Sequence, residues 1–273
     1  MKIKDYTGKI AFITGGSSGI GLACAELLAA RGANVVVLAR GQEQLSRALK
    51  GIELKRVYEK QRFLAVRLDV SQRVEAENVL NRAVKDFGIP DIVINSAGVS
   101  FPQEFKDIPY SKFDDIVRIN LNGTWNTISV LLPYMKERGG YIVNVSSVAG
   151  YIGIFGLTAY SASKFAVIGF SEALRSELKR FNITVSVLCP PDVDTPMLEK
   201  ANKIKPEVTK AISSSASIVK ASDVAREVIA GMGRGQFLIL PGFGTKYTYF
   251  MKRLFPGLVQ AIIDGKVKKA EQR

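Results

Sequence analysis

The chain has 273 residues, 47% hydrophobic, enough for one domain with a large buried core and room for a small appendage. Its formal net charge is +13 and it contains no histidine, so the side chain that usually moves protons near neutral pH is excluded. No stretch of ~18 uncharged apolar residues occurs and no apolar run of leader length precedes Gly15, so neither a transmembrane helix nor a signal peptide is expected.

In chain order, "KIAFIT" (9–14) reads as a buried strand followed at once by glycines. "IGLACAELLAARG" (20–32) has apolar residues at helical spacing and Gly32 as a stop. "NVVVLAR" (34–40) is a second strand, with a long charged helix after it at about 42–60. "FLAVRLDV" (63–70) is a third, with a helix at about 72–87. "DIVINSAG" (91–98), "GYIVNVSS" (140–147) and "ITVSVLCP" (183–190) follow, each with a helix after it. "QFLILP" (236–241) is a seventh strand closing one edge. Short apolar strands alternating with helices predict an α/β fold, a parallel sheet of about seven strands covered by helices on both faces. The catalytic unit spans 1–241 and a C-terminal extension 242–273. Cys24 and Cys189 both sit in apolar runs, which suits core packing in a reducing compartment better than a disulfide or a metal site.

"TGGSSGIG" (14–21) lies between the first strand and the first helix. Glycines there let the backbone approach a pyrophosphate, and the helix N-terminus stabilises its charge. The spacing of Gly15, Gly19 and Gly21 is longer than G-x-G-x-x-G, so a glycine-rich turn without a ligand is the alternative; its place after the first strand favours the cofactor. Arg40 ends the second strand, where an NAD site would carry Asp or Glu. A guanidinium fits a 2′-phosphate, and Ser17 could donate to the same group, so NADPH is expected over NADH. Tyr160 and Lys164 in "TAYSASKFAV" share one face of a helix. Ser147 ends the fifth strand, at the edge where open parallel sheets bind ligands, and Asn120 falls in a helix between strands four and five.

"TGGSSGIG", "LDV" (68–70), "NSAG" (95–98), "INLNG" (119–123), "VSS" (145–147), "YSASK" (160–164) and "CPPDVDTP" (189–196) together resemble the short-chain dehydrogenase/reductase family over about residues 8–240. The resemblance implies a Rossmann-type doubly wound sheet and a homodimer or homotetramer. It makes Tyr160 the general acid and Lys164 the cation that lowers its pKa and binds the nicotinamide ribose. Ser147 would hold the substrate oxygen, and Asn120 would position a water relaying protons to Lys164. Ser18 and Ile20 would join the glycines on the cofactor, Asp69 and Val70 would flank its adenine, and Asn95, Ala97 and Gly98 would line it. Pro190, Val193 and Thr195 would meet its nicotinamide end. No metal is called for. The family's Pro-Gly after strand six is Pro190-Pro191 here, which stiffens the turn and removes an N–H.

"PPDVDTPMLEKANKIKPEVTKAIS" (190–213) is similar to 3-ketodihydrosphingosine reductases, which reduce 3-ketosphinganine to sphinganine with NADPH in sphingolipid biosynthesis. A loop over 190–220 would then cover the acyl site. The hydrophobic anchoring segments of eukaryotic members have no counterpart in this sequence. A 3-oxoacyl-carrier-protein reductase is the nearest enzymatic alternative, and a non-catalytic NADP-sensing scaffold the alternative from another class. Residues 201–273 hold 13 Lys or Arg against 5 Asp or Glu, a balance suited to an anionic partner. No nucleic-acid-binding signature occurs, so nucleic acid is not expected. Within 246–269, Tyr247, Phe250, Met251, Leu254 and Leu258 form one apolar stripe, with Lys246, Lys252 and Arg253 opposite and a kink at Pro256-Gly257. Such a helix lies on an anionic membrane, or its stripe packs on the body or on another subunit. The expected location is cytoplasmic, with peripheral membrane contact.

Overall fold

The computed structural model describes residues 2–213 and 218–272. Its main sheet has seven strands: β1 (Ile10–Thr14), β2 (Asn34–Ala39), β3 (Phe63–Arg67), β4 (Ile92–Asn95), β5 (Gly140–Val145), β6 (Ile183–Leu188) and the edge strand β9 (Leu238–Ile239). All pair in parallel, in the order β3-β2-β1-β4-β5-β6-β9. Two short strands, β7 (Val193–Asp194) and β8 (Val219–Lys220), pair separately.

The strands are mostly apolar because both faces are covered, and their period of two divides them between two cores. Ala11, Ile13, Val35, Val37, Ile92 and Ile94 pack on one side with α1 (Gly19–Ala29), α2 (Gln42–Glu53) and α9 (Ala221–Arg234). Phe12, Val36, Leu38 and Val93 pack on the other, against α3 (Arg73–Phe87), α5 (Gly123–Met135) and α6 (Thr158–Leu178). Cys24 and Cys189 are free and buried. A short helix α4 (Tyr110–Val117) precedes α5. Beyond β7 come α7 (Pro196–Asn202) and α8 (Glu207–Ser213), and after β9 come α10 (Gly242–Leu254) and α11 (Pro256–Glu271).

Several boundaries differ from expectation for physical reasons. The helix expected to reach residue 60 stops at Glu53. Buried Gln61 pins the next turn by donating to the carbonyls of Ala29 and Ala33, both at 2.7 Å, and accepting the Val57 N–H. Strands three to six end two or three residues early, because their C-terminal residues leave the ladder to form loops. The edge strand keeps only two residues, those opposite Val187 and Leu188. Asn120 lies in a π-helical turn (Arg118–Asn122) between α4 and α5. The loop expected over 190–220 contains α7, α8 and the β7–β8 pair; its residues 214–217 lie outside the described residues. Among the described residues, no helix is long and apolar enough to cross a membrane.

Candidate active site

The strand order reverses between β1 and β4, so successive connections leave in opposite directions and open a crevice at the C-terminal strand ends. A cleft of about 1150 Å³ lies there. At one end, α1 begins at Gly19 with Ser18 extended before it and no side-chain cap, which leaves its first-turn N–H groups for an anion. Gly15 and Gly19 have φ of +67° and +53°. A β-carbon on Gly15 would stand 2.7 Å from the Ala97 nitrogen, so the loop can lie this close to the β4 segment only without a side chain. Ser17, Ser18 and Ile20 line the cleft. So do Arg40 just past β2, Asp69 and Val70 past β3, and Ala97 and Gly98 past β4.

At the other end, α6 sets Tyr160 and Lys164 one turn apart. Lys164 is buried, donates to the Val145 carbonyl at 2.8 Å, and holds its Nζ 5.6 Å from the Tyr160 ring centre. Ser147, extended just past β5, lies close enough to the Tyr160 phenol to act on it and accepts the Ala149 N–H. Burial pushes the Tyr160 phenol up to about 12; the Asp192 charge adds to this and the Ser147 hydroxyl opposes it. Burial pulls Lys164 down to about 8. Burial thus moves Tyr160 opposite to the lowering expected from Lys164. At neutral pH the phenol keeps its proton, as a donor to a carbonyl oxygen must. The nearby Cys189 thiol is also pushed up to about 12 by burial, which keeps it inert. Pro190, Val193 and Thr195 form the facing wall. The Thr195 hydroxyl accepts the Leu198 N–H at 3.3 Å and starts α7.

Three expected residues lie behind the cleft wall. A β-carbon on Gly21 would collide with the Gly15 carbonyl, so this glycine seats α1 against the loop. Asn95 is buried and donates to Asn144 Oδ1 at 2.8 Å. Asn120 is buried in the π-turn, where it donates to the Val99 carbonyl at 3.0 Å and to Ser163 Oγ at 2.9 Å, and accepts the Val99 N–H at 2.8 Å. It clamps the loop after β4 to the helix carrying Tyr160 and Lys164.

Two parts of the cleft were not assigned from the sequence. One is its outer wall, formed by Phe243, Tyr247 and Met251 of α10 and Val259, Ile262 and Lys266 of α11. The helix pair is anchored where Tyr249 meets Tyr151 edge-on at 5.2 Å and the Tyr151 hydroxyl donates to the Thr245 carbonyl. The apolar stripe therefore divides: Tyr247 and Met251 line the cleft, and Phe250, Leu254 and Leu258 stay exposed. The other is the pairing of Asp192 with Lys205, two residues of the segment expected over the acyl site that were given no individual role; both line the cleft, with Lys205 Nζ 3.3 Å from Asp192 Oδ2.

Residues 9–206 match the family model for short chain dehydrogenases. The chain belongs to this family. It is 40% identical to the 3-ketodihydrosphingosine reductase of Mus musculus over 84% of its length and 70% of that protein. It is 38% identical to the 3-dehydrosphinganine reductase of Danio rerio over the same shares. A Burkholderia phymatum short-chain dehydrogenase/reductase solved in complex with NAD superposes with a TM-score of 0.82 at 25% identity, covering 94% of this chain and 96% of that one. This short-chain dehydrogenase is an oxidoreductase that interconverts a C=O and a CH–OH group with a nicotinamide dinucleotide. The glycine loop, uncapped α1 and flanking Ala97 have the shape and donor chemistry such a dinucleotide requires.

Proposed function

We propose that the protein uses NADPH to reduce 3-ketodihydrosphingosine, a long-chain 2-amino-1-hydroxy-3-ketone, to the corresponding alcohol. The observation that carries this reading is the apolar continuation of the cleft beyond Tyr160. Ile152, Ile154 and Leu157 on one side and Met251, Val259 and Ile262 on the other offer an alkyl chain a path outward from the reactive end. The names of the relatives support the same substrate. They also set aside the scaffold reading.

In this reading the bound nicotinamide supplies hydride. Tyr160 donates its proton to the carbonyl oxygen, and Ser147 hydrogen-bonds that oxygen. Lys164 stabilises the phenolate that results. Gly15, Ser17, Ser18, Gly19 and Ile20 hold the pyrophosphate. Arg40 pairs with the 2′-phosphate, Asp69 and Val70 flank the adenine, and Ala97, Gly98, Pro190, Val193 and Thr195 line the remainder. Gly21, Asn95 and Asn120 position these groups from behind. Residues 1–241 form the catalytic unit, and 242–273 the outer wall of its substrate passage. Phe113, Trp125 and Phe165, exposed on α4, α5 and α6, offer an apolar surface for a second copy of the chain. The protein works in the cytoplasm and meets the membrane peripherally.

Cofactor oxidation with 3-ketodihydrosphingosine and with a 3-oxoacyl thioester, using NADPH and NADH in turn, tests this. NADPH-dependent turnover of the sphingoid ketone is expected. Preference for the thioester would replace it with a carrier-protein reductase.

A further inference from the structure

The charges along the cleft are unbalanced. Arg40, Lys164, Lys200, Lys205 and Lys266 line it, against only two carboxylates among the described residues, Asp69 and Asp192. The substrate proposed above carries an ammonium group beside the ketone, and this inference rests on that reading. A cation entering so basic a cleft needs a compensating carboxylate close to the reacting carbon. Asp69 cannot supply it. It lies beyond β3 at the glycine-loop end, and its Oδ1 already accepts the Ser71 N–H at 2.9 Å and the Ser71 hydroxyl at 2.7 Å.

Asp192 is placed for it. It follows the rigid Pro190-Pro191 step at the end of β6, and its carbonyl accepts the Val219 N–H at 3.0 Å, which fixes the backbone. Lys205 touches one carboxylate oxygen, Oδ2, at 3.3 Å, and its own side chain is only 6% exposed. The Asp192 side chain remains 37% exposed. Asp192 also lies close enough to Tyr160 for its charge to act on the phenol.

We propose that Asp192 binds the substrate's ammonium group and so selects 2-amino ketones. This gives the departure from Pro-Gly a purpose: it carries a carboxylate to the reacting end on a stiff step.

The test compares the amino ketone with the same ketone bearing hydrogen in place of the amine, below the amine's pKa. In Asp192→Asn the kcat/KM ratio of amino to des-amino ketone should fall about 10- to 100-fold, chiefly through KM. In Lys205→Met the carboxylate remains, and the preference for the amine should survive. An unchanged ratio in Asp192→Asn, including equal losses on both ketones, would overturn the proposal and make the ion pair a purely structural tie. Loss of the preference in Lys205→Met would overturn it too. If the intact protein reduces neither ketone, the reductase reading fails instead. Dissociation constants of the saturated amino alcohol and its des-amino form then still read Asp192, and equal weakening of both by Asp192→Asn would overturn its role.

Discussion

Arg40 and Lys164 show how one side chain can be read at two depths. Arg40 is exposed on the cleft rim just past β2, where sequence position alone located it. Arg40→Asp trades attraction to a 2′-phosphate for repulsion. The ratio of NADPH to NADH dissociation constants should rise about 10- to 100-fold in that variant, and an unchanged ratio would show that Arg40 does not read the phosphate. Lys164 was equally legible as a residue, but its environment was not. Its burial lowers its pKa from 10.5 to about 8, so at pH 7 the folded state carries a charged lysine at a cost of roughly 3 kcal/mol. The sign follows. A depressed lysine destabilises the fold below pH 8, and that penalty fades as pH rises from 8 to 10.5. Lys164→Met should therefore be more stable than wild type at pH 7, by less than that figure because the Val145 carbonyl loses its partner. The advantage should shrink in urea unfolding at pH 10. A pH-independent difference would mean that the ammonium is well solvated. Asp192 and Lys205 were individually visible, but 13 positions separate them and only the fold brings them together.

Among the elements, the central strands were legible because burial on both faces makes them predominantly apolar. Their ends were not, since leaving the ladder to form a loop has no mark in hydropathy. The π-turn at Asn120 was hidden for a related reason: its sequence continues a helical pattern. The C-terminal helices were visible as a stripe, but a stripe does not say what it faces. In the fold its two halves separate. Phe250, Leu254, Phe255 and Leu258 are each more than half exposed, and Lys246, Arg253, Lys268 and Lys269 are exposed on the same pair of helices. Apolar groups among cations complement an anionic lipid surface, to which each basic residue near it contributes up to about 1 kcal/mol. The protein should co-sediment with anionic vesicles, less so as salt rises, and hardly at all with neutral ones. Replacing Phe250 and Leu254 by Ser and Lys246 and Arg253 by Glu should abolish this and spare the cleft-facing Tyr247 and Met251. Wild-type protein remaining in the supernatant with both lipids would leave the exposed face to a second copy of the chain.

For the molecule as a whole, the arrangement of α10 and α11 has a kinetic consequence. The same two helices border the cleft with one set of side chains and present another set outward. An enzyme resting on a bilayer through the outward set would draw its ketone laterally from the lipid, and the alkyl tail would pass from one apolar phase to another without crossing water. Its encounters would then be two-dimensional. Turnover would follow the mole fraction of ketone in the membrane and not its amount per volume, and added inert lipid would slow the enzyme by dilution within the surface.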